Sequence, residues 1–175
     1  CNLEDNKLVK VAKEEGIRVY RGDQENVLKR FVCAAESILS EDIKYIVRVT
    51  ADCPLVGGDT LDLILKKCLT LGKFDLVSTK PAFHHGLDYE VYKRSTLKKI
   101  ESHGDVTNEE KEHILNYIYN RENKYRVKRI LPPNYLKNKG RPFLLDDKKD
   151  YDFFQKLLNN TSNYDISAKE LLKLV

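Results

Sequence analysis

The chain has 175 residues, 41 % of them apolar and 33 % charged, the composition of a folded domain rather than a disordered segment. At this length roughly 70 % of the unfolded surface can be buried, so no staple is needed to hold a core. No apolar run approaches the roughly 20 residues of a membrane span, and a net charge of +4 is too mild to argue for a nucleic-acid binder. Four cysteines, Cys1, Cys33, Cys53 and Cys68, form no C-x-x-C pair and fit a reduced, cytoplasmic setting. A single domain over residues 1–175 is expected. The start at Cys1 and the absence of any Met read as the later part of a longer protein.

In chain order, residues 4–15 carry an amphipathic helical pattern closed by Gly16, and Ile17–Tyr20 is a short strand candidate. Apolar positions from 27 to 39 share one helical face. Residues 45–49 are β-rich and break at Thr50-Ala51-Asp52-Cys53-Pro54. A helix over 59–71, a strand over 75–78 and the loop Pro81–Gly86 follow. Next come a strand over 89–92, a helix over 96–102 and one helix over 108–119 opened by a Thr107/Glu110 capping box. Strands over 125–130 and 142–145 and helices over 148–159 and 167–174 complete the chain. Strands alternating with helices predict an α/β fold with a mostly parallel central sheet.

Asp52 and Asp146 each follow a strand candidate, where open α/β sheets bind ligands. Two carboxylates about 4 Å apart repel by roughly 4 kcal/mol at an effective dielectric of 20, so a pair brought together needs a cation or a shared proton, and Mg²⁺ suits oxygen ligands. From spacing alone the default reading of each Asp is a turn residue or helix cap, where Asp commonly sits. Asp88 and Glu90, two apart, share a face of their strand. His84 and His85 lack zinc-spaced partners and read as an exposed loop. Residues 121–141 hold eight basic residues against Glu122 alone; this could attract an anionic partner, but a solvated basic face is the default reading. Phosphate-binding and nucleophile-elbow glycine motifs are absent.

Five ordered stretches carry a family resemblance: Val19-Tyr20-Arg21-Gly22 with Asn26–Arg30, Arg48–Leu55, Gly86–Tyr92, Lys111–Ile114 and Asp146–Tyr151. Together they resemble the cytidylyltransferases of the spore-coat polysaccharide biosynthesis protein F type, relatives of the CMP-KDO and acylneuraminate cytidylyltransferases. The resemblance implies a nucleotide-diphospho-sugar transferase fold (GT-A-like, Rossmann-like). It also implies Mg²⁺-dependent transfer of CMP from CTP to a sugar, giving CMP-sugar and pyrophosphate for surface polysaccharide or glycan biosynthesis.

On the same ground Asp52 and Asp146 are the implied metal ligands, with Asp52 and Arg48 catalytic. Arg21, Gly86, Leu87, Asp88, Glu90, Glu112 and His113 are implied on the substrate side. CTP and a sugar are the implied partners, with no membrane, no nucleic acid and a homodimer through roughly 84–130. The chain departs from the family at Ala51, Gly57-Gly58 and Lys148-Lys149, and the family's N-terminal nucleotide-binding loop is expected upstream of Cys1. The alternative is a non-catalytic nucleotide- or sugar-binding module, or an inactive fragment, of the same fold.

Overall fold

The computed structural model describes residues 5–159 and 166–174. Among them are eight α-helices and four strands: α1 Asn6–Glu14, α2 Val27–Ile38, β1 Tyr45–Arg48, α3 Gly58–Cys68, β2 Leu76–Ser78, β3 Glu90–Lys93, α4 Arg94–Glu101, α5 Asn108–Glu112, α6 Asn116–Tyr119, β4 Val127–Arg129, α7 Lys148–Asn159 and α8 Ala168–Leu171. The strand order is β1-β3-β2-β4.

The α/β class holds, but the mostly parallel sheet is corrected. Only β2 and β4 run parallel, Leu76 facing Val127 and Ser78 facing Arg129. β3 opposes both of its neighbours. Arg94 N–H donates to Lys44 O at 2.9 Å, while Arg48 pairs with Glu90 at the other end of the two strands. On its other side, Thr79 N–H donates to Tyr89 O. The cause lies in the connection from β2 to β3, an eleven-residue loop without a helix. A parallel return needs a crossover of a dozen or more residues, usually helical.

Two further strand candidates are not strands. Ile17–Tyr20 forms no ladder, and 142–145 lies outside the sheet. The helix expected over 108–119 starts at its capping box, with Thr107 and Glu110 exchanging hydrogen bonds, and then breaks at His113 into α5 and α6. The break lets the consecutive Ile114 and Leu115 both be buried, where one continuous helix would set them about 100° apart. The last expected helix, 167–174, is shortened to the single turn of α8.

The chain divides into two compact units, Cys1–Ile46 with Tyr92–Tyr125, and Val47–Val91 with Arg126–Val175. In the first, α2 packs on α4 and α5 through Leu28, Val32 and Ala35, and Phe31 meets Tyr92 edge-on at 5.8 Å. In the second, Ile64, Val77, Phe83, Leu87, Phe143, Phe154 and Leu171 form one apolar core. Burying each such side chain is worth about 1.5–3 kcal/mol. No helix of the described residues is long and apolar enough to cross a membrane.

Candidate functional site

Within the second unit, three loops meet. The first follows β1 and carries Asp52. This strand is half-exposed rather than buried. Asp52 is ionised readily: a hydrogen bond from the Thr50 hydroxyl holds its carboxyl below the ordinary range against the opposing effect of burial, and Arg48 adds to the lowering. The Cys53 thiol, 3.6 Å from Asp52 Oδ1, is pushed up by burial and stays protonated.

The second loop, Pro81 to Tyr89, turns at Gly86. There φ is +93°, and a Cβ would stand 2.3 Å from the Phe143 carbonyl oxygen, so both conformation and space demand glycine. His84, expected to be exposed, is 2 % exposed and lies against the Phe143 ring at 4.5 Å, with Nδ1 3.1 Å from His85 O. Burial lowers its pKa and disfavours the charged ring. His85 is exposed. Leu87 is wholly buried in the core, which leaves only its backbone to face a ligand. The Tyr89 hydroxyl donates to Gly57 O at 2.7 Å and so fixes the Gly57-Gly58 turn that opens α3.

The third segment, Phe143–Leu145, ties the other two together. Phe143 N–H donates to His85 O at 2.9 Å and Leu145 N–H to Asp52 O at 2.8 Å. The next residue is Asp146, exposed at the head of α7. Its own N–H, and that of Asp147, donate to Asp150 Oδ2, while Asp147 Oδ1 accepts from Asp150 N–H. This reciprocal cap leaves Lys148-Lys149 in the first helical turn without a capping role. Asp52 and Asp146, 94 positions apart in the chain, are thus carried on two hydrogen-bonded segments.

Arg48, Asp88 and Glu90 line one recess with Thr50, Cys53 and Lys80, of about 20 Å³. Arg48 lies 3.6 Å from Glu90 and Lys80 lies 3.8 Å from Asp88. Burial raises the pKa of Asp88, and Lys80 opposes that rise. Neither Lys80 nor Thr50 is among the residues that sequence reasoning singles out. The rule that locates Asp52, a residue just beyond the end of a strand, finds Lys80 when it is applied to β2.

The remaining candidates belong to the first unit. The Arg21 guanidinium donates to Asn6 Oδ1 at 2.7 Å, and Glu112 and His113 are exposed at the end of α5. Glu112 lines a polar cleft of about 570 Å³ between the start of α2 and α5, with Asp23, Asn26 and Lys111.

No cluster of three His, Cys, Asp or Glu suited to a metal occurs among the described residues. Two hard carboxylates nevertheless fit Mg²⁺, which keeps several waters and is bound through one or two carboxylates plus substrate phosphates.

A family model for cytidylyltransferases matches residues 4–172. The chain belongs to the cytidylyltransferase family. It is 31 % identical over 169 residues to a protein of Methanocaldococcus jannaschii, covering 97 % of this chain and 67 % of that one. Identity is 29 % over 164 residues to the spore coat polysaccharide biosynthesis protein SpsF of Bacillus subtilis, covering 93 % and 66 %. The chain therefore spans about two thirds of the length of these relatives. A solved cytidylyltransferase from Leptospira borgpetersenii superposes with a TM-score of 0.87 at 26 % identity, covering 99 % of this chain and 71 % of that one. These likenesses support a nucleotidyltransferase and bear out the family and fold resemblance of the five motifs.

Proposed function

We propose that this cytidylyltransferase-family chain transfers CMP from CTP to a sugar, releasing pyrophosphate, in the building of a polysaccharide or other glycan. The observation that carries the reading is the Leu145–Asp52 hydrogen bond, which sets the Asp146 segment against the Asp52 loop beside the charged recess. The likeness to SpsF supports the polysaccharide setting.

In this reaction a sugar hydroxyl oxygen bonds to the α-phosphorus of CTP as the bond from that phosphorus to the bridging oxygen breaks. Pyrophosphate leaves with the electron pair, and the hydroxyl gives up its proton. Asp52 and Asp146 would hold Mg²⁺, which when bound neutralises charge on the phosphates. Asp52 suits that task because Thr50 and Arg48 favour its ionised form. Arg48, held by Glu90, presents a fixed cation beside it, an arrangement of charge made before substrate arrives. The protein's contribution is then positioning and electrostatics rather than covalent chemistry.

The test is pyrophosphate release by the full-length protein with Mg²⁺, each of the four nucleoside triphosphates and a panel of acidic and amino sugars. Release with CTP, abolished by chelation and reduced at least about 10²-fold by Asp52→Asn with the fold intact, is the expected result. Near-normal turnover by Asp52→Asn would remove the metal assignment. Silence across the panel from folded protein would favour a binding module.

A further inference from the structure

Resting on that reading, we propose that Asp88 is the base of the transfer: its carboxylate accepts the proton of the attacking sugar hydroxyl, which seats in the recess lined by Arg48, Thr50, Cys53, Lys80, Asp88 and Glu90. The recess, at about 20 Å³, holds one water-sized group, which is the size of a hydroxyl and not of a ring.

Two carboxylates face this space, and they differ. Glu90 opens β3 and is paired with Arg48. Asp88 stands in the loop, its side chain 9 % exposed. The 3.8 Å separation from Lys80 is a charge attraction too long for a direct hydrogen bond, and the Gly86 backbone N–H donates to the carboxylate, which keeps acceptor capacity beyond that one bond.

Burial raises the proton affinity of Asp88, which suits a carboxylate facing this recess to take a proton. Charged and titratable groups facing Asp88 are Lys80, Glu90, His85, His84 and Cys53, with Arg48 lining the same recess.

In the step, the O–H proton moves to an Asp88 oxygen while the oxygen–phosphorus bond forms and pyrophosphate departs with its electron pair. Asp88 then returns the proton to water.

The experiment is the pH dependence of kcat/KM for an active sugar, measured on the full-length protein with CTP saturating. The wild type is expected to lose activity toward acid with the slope of one proton. Asp88→Asn should lower kcat roughly 10²- to 10⁴-fold, abolish that limb and leave the KM for CTP little changed. In Lys80→Met the limb should move to higher pH, because the cation that favours ionised Asp88 is gone; this variant carries the test if Asp88→Asn fails to fold. An Asp88→Asn protein within threefold of wild type, or one that keeps the limb, overturns the assignment, the limb then belonging to another group. A Lys80→Met limb that does not move overturns it too. No pyrophosphate from the wild type refutes the transferase reading itself, and the base with it.

Discussion

At Gly86 the chain passes so close to Phe143 that a single methyl group would enter a carbonyl oxygen. Gly86→Ala combines a left-handed conformation, costing about 1–2 kcal/mol, with an overpacking cost of about 1–3 kcal/mol. The expected result is a midpoint in urea that falls by the equivalent of roughly 2–5 kcal/mol, and one that stayed put would show the loop to be free to move. Asp88 and Glu90 are legible in the sequence as two carboxylates two positions apart, although Asp88 stands in the loop before β3 rather than in the strand. Lys80 is not, because its partner is eight residues away across a turn that only Gly86 makes possible. Leu87 shows the converse limit: it lies inside a family motif, yet its side chain serves the core.

Among the elements, α5 depends on Glu110, which does two tasks at once. Its carboxylate accepts from Thr107 N–H at the helix start and from Arg121 at 2.5 Å, while the residue is 3 % exposed. Burial pushes its pKa up, but the Arg121, Thr107 and Asn120 hydrogen bonds together outweigh it and hold the group below the ordinary carboxylate range. A lowered folded value means that its contribution is complete above the unfolded value of about 4.3 and is lost as pH falls through the folded one. Glu110→Gln should therefore cost about 1–3 kcal/mol at pH 7 and flatten the fall of Tm below about pH 4.3, both readable by thermal melts across pH.

The capping box is plain in the sequence because it is a local pattern. The break at His113 is not, because it answers to the burial of Ile114 and Leu115. Strand direction escapes for a related reason: alternation of elements speaks for crossovers only where a helix fills the connection, and between β2 and β3 none does.

For the whole molecule, the basic run 121–141 illustrates how three dimensions cancel a one-dimensional signal. Arg121 is paired with Glu110, Arg126 with Asp75 at 3.1 Å and Arg141 with Asp150. The others, Lys124, Lys128, Arg129, Lys137 and Lys139, are spread over the turn before β4, β4 itself and the loop after it, with no row of stacking aromatics beside them. Binding to duplex DNA or RNA is expected to be undetectable at 0.15 M salt, and a steep linear fall of log K with log salt would contradict that. The α/β class is readable because it follows from periodicity, and the order of motifs because it resembles that of a known family. The meeting of Asp52 with the Asp146 segment rests on two backbone hydrogen bonds that no side-chain pattern announces.

Those two bonds also act as a fastening. Phe143 and Leu145 lie in no ladder, so their N–H groups are held only by His85 O and Asp52 O. Local opening of this stretch would slip Asp146 away from Asp52 without melting either helix core. In hydrogen exchange the amides of Phe143 and Leu145 should open together, ahead of those in α7. On warming, turnover should vanish several degrees before the fold does.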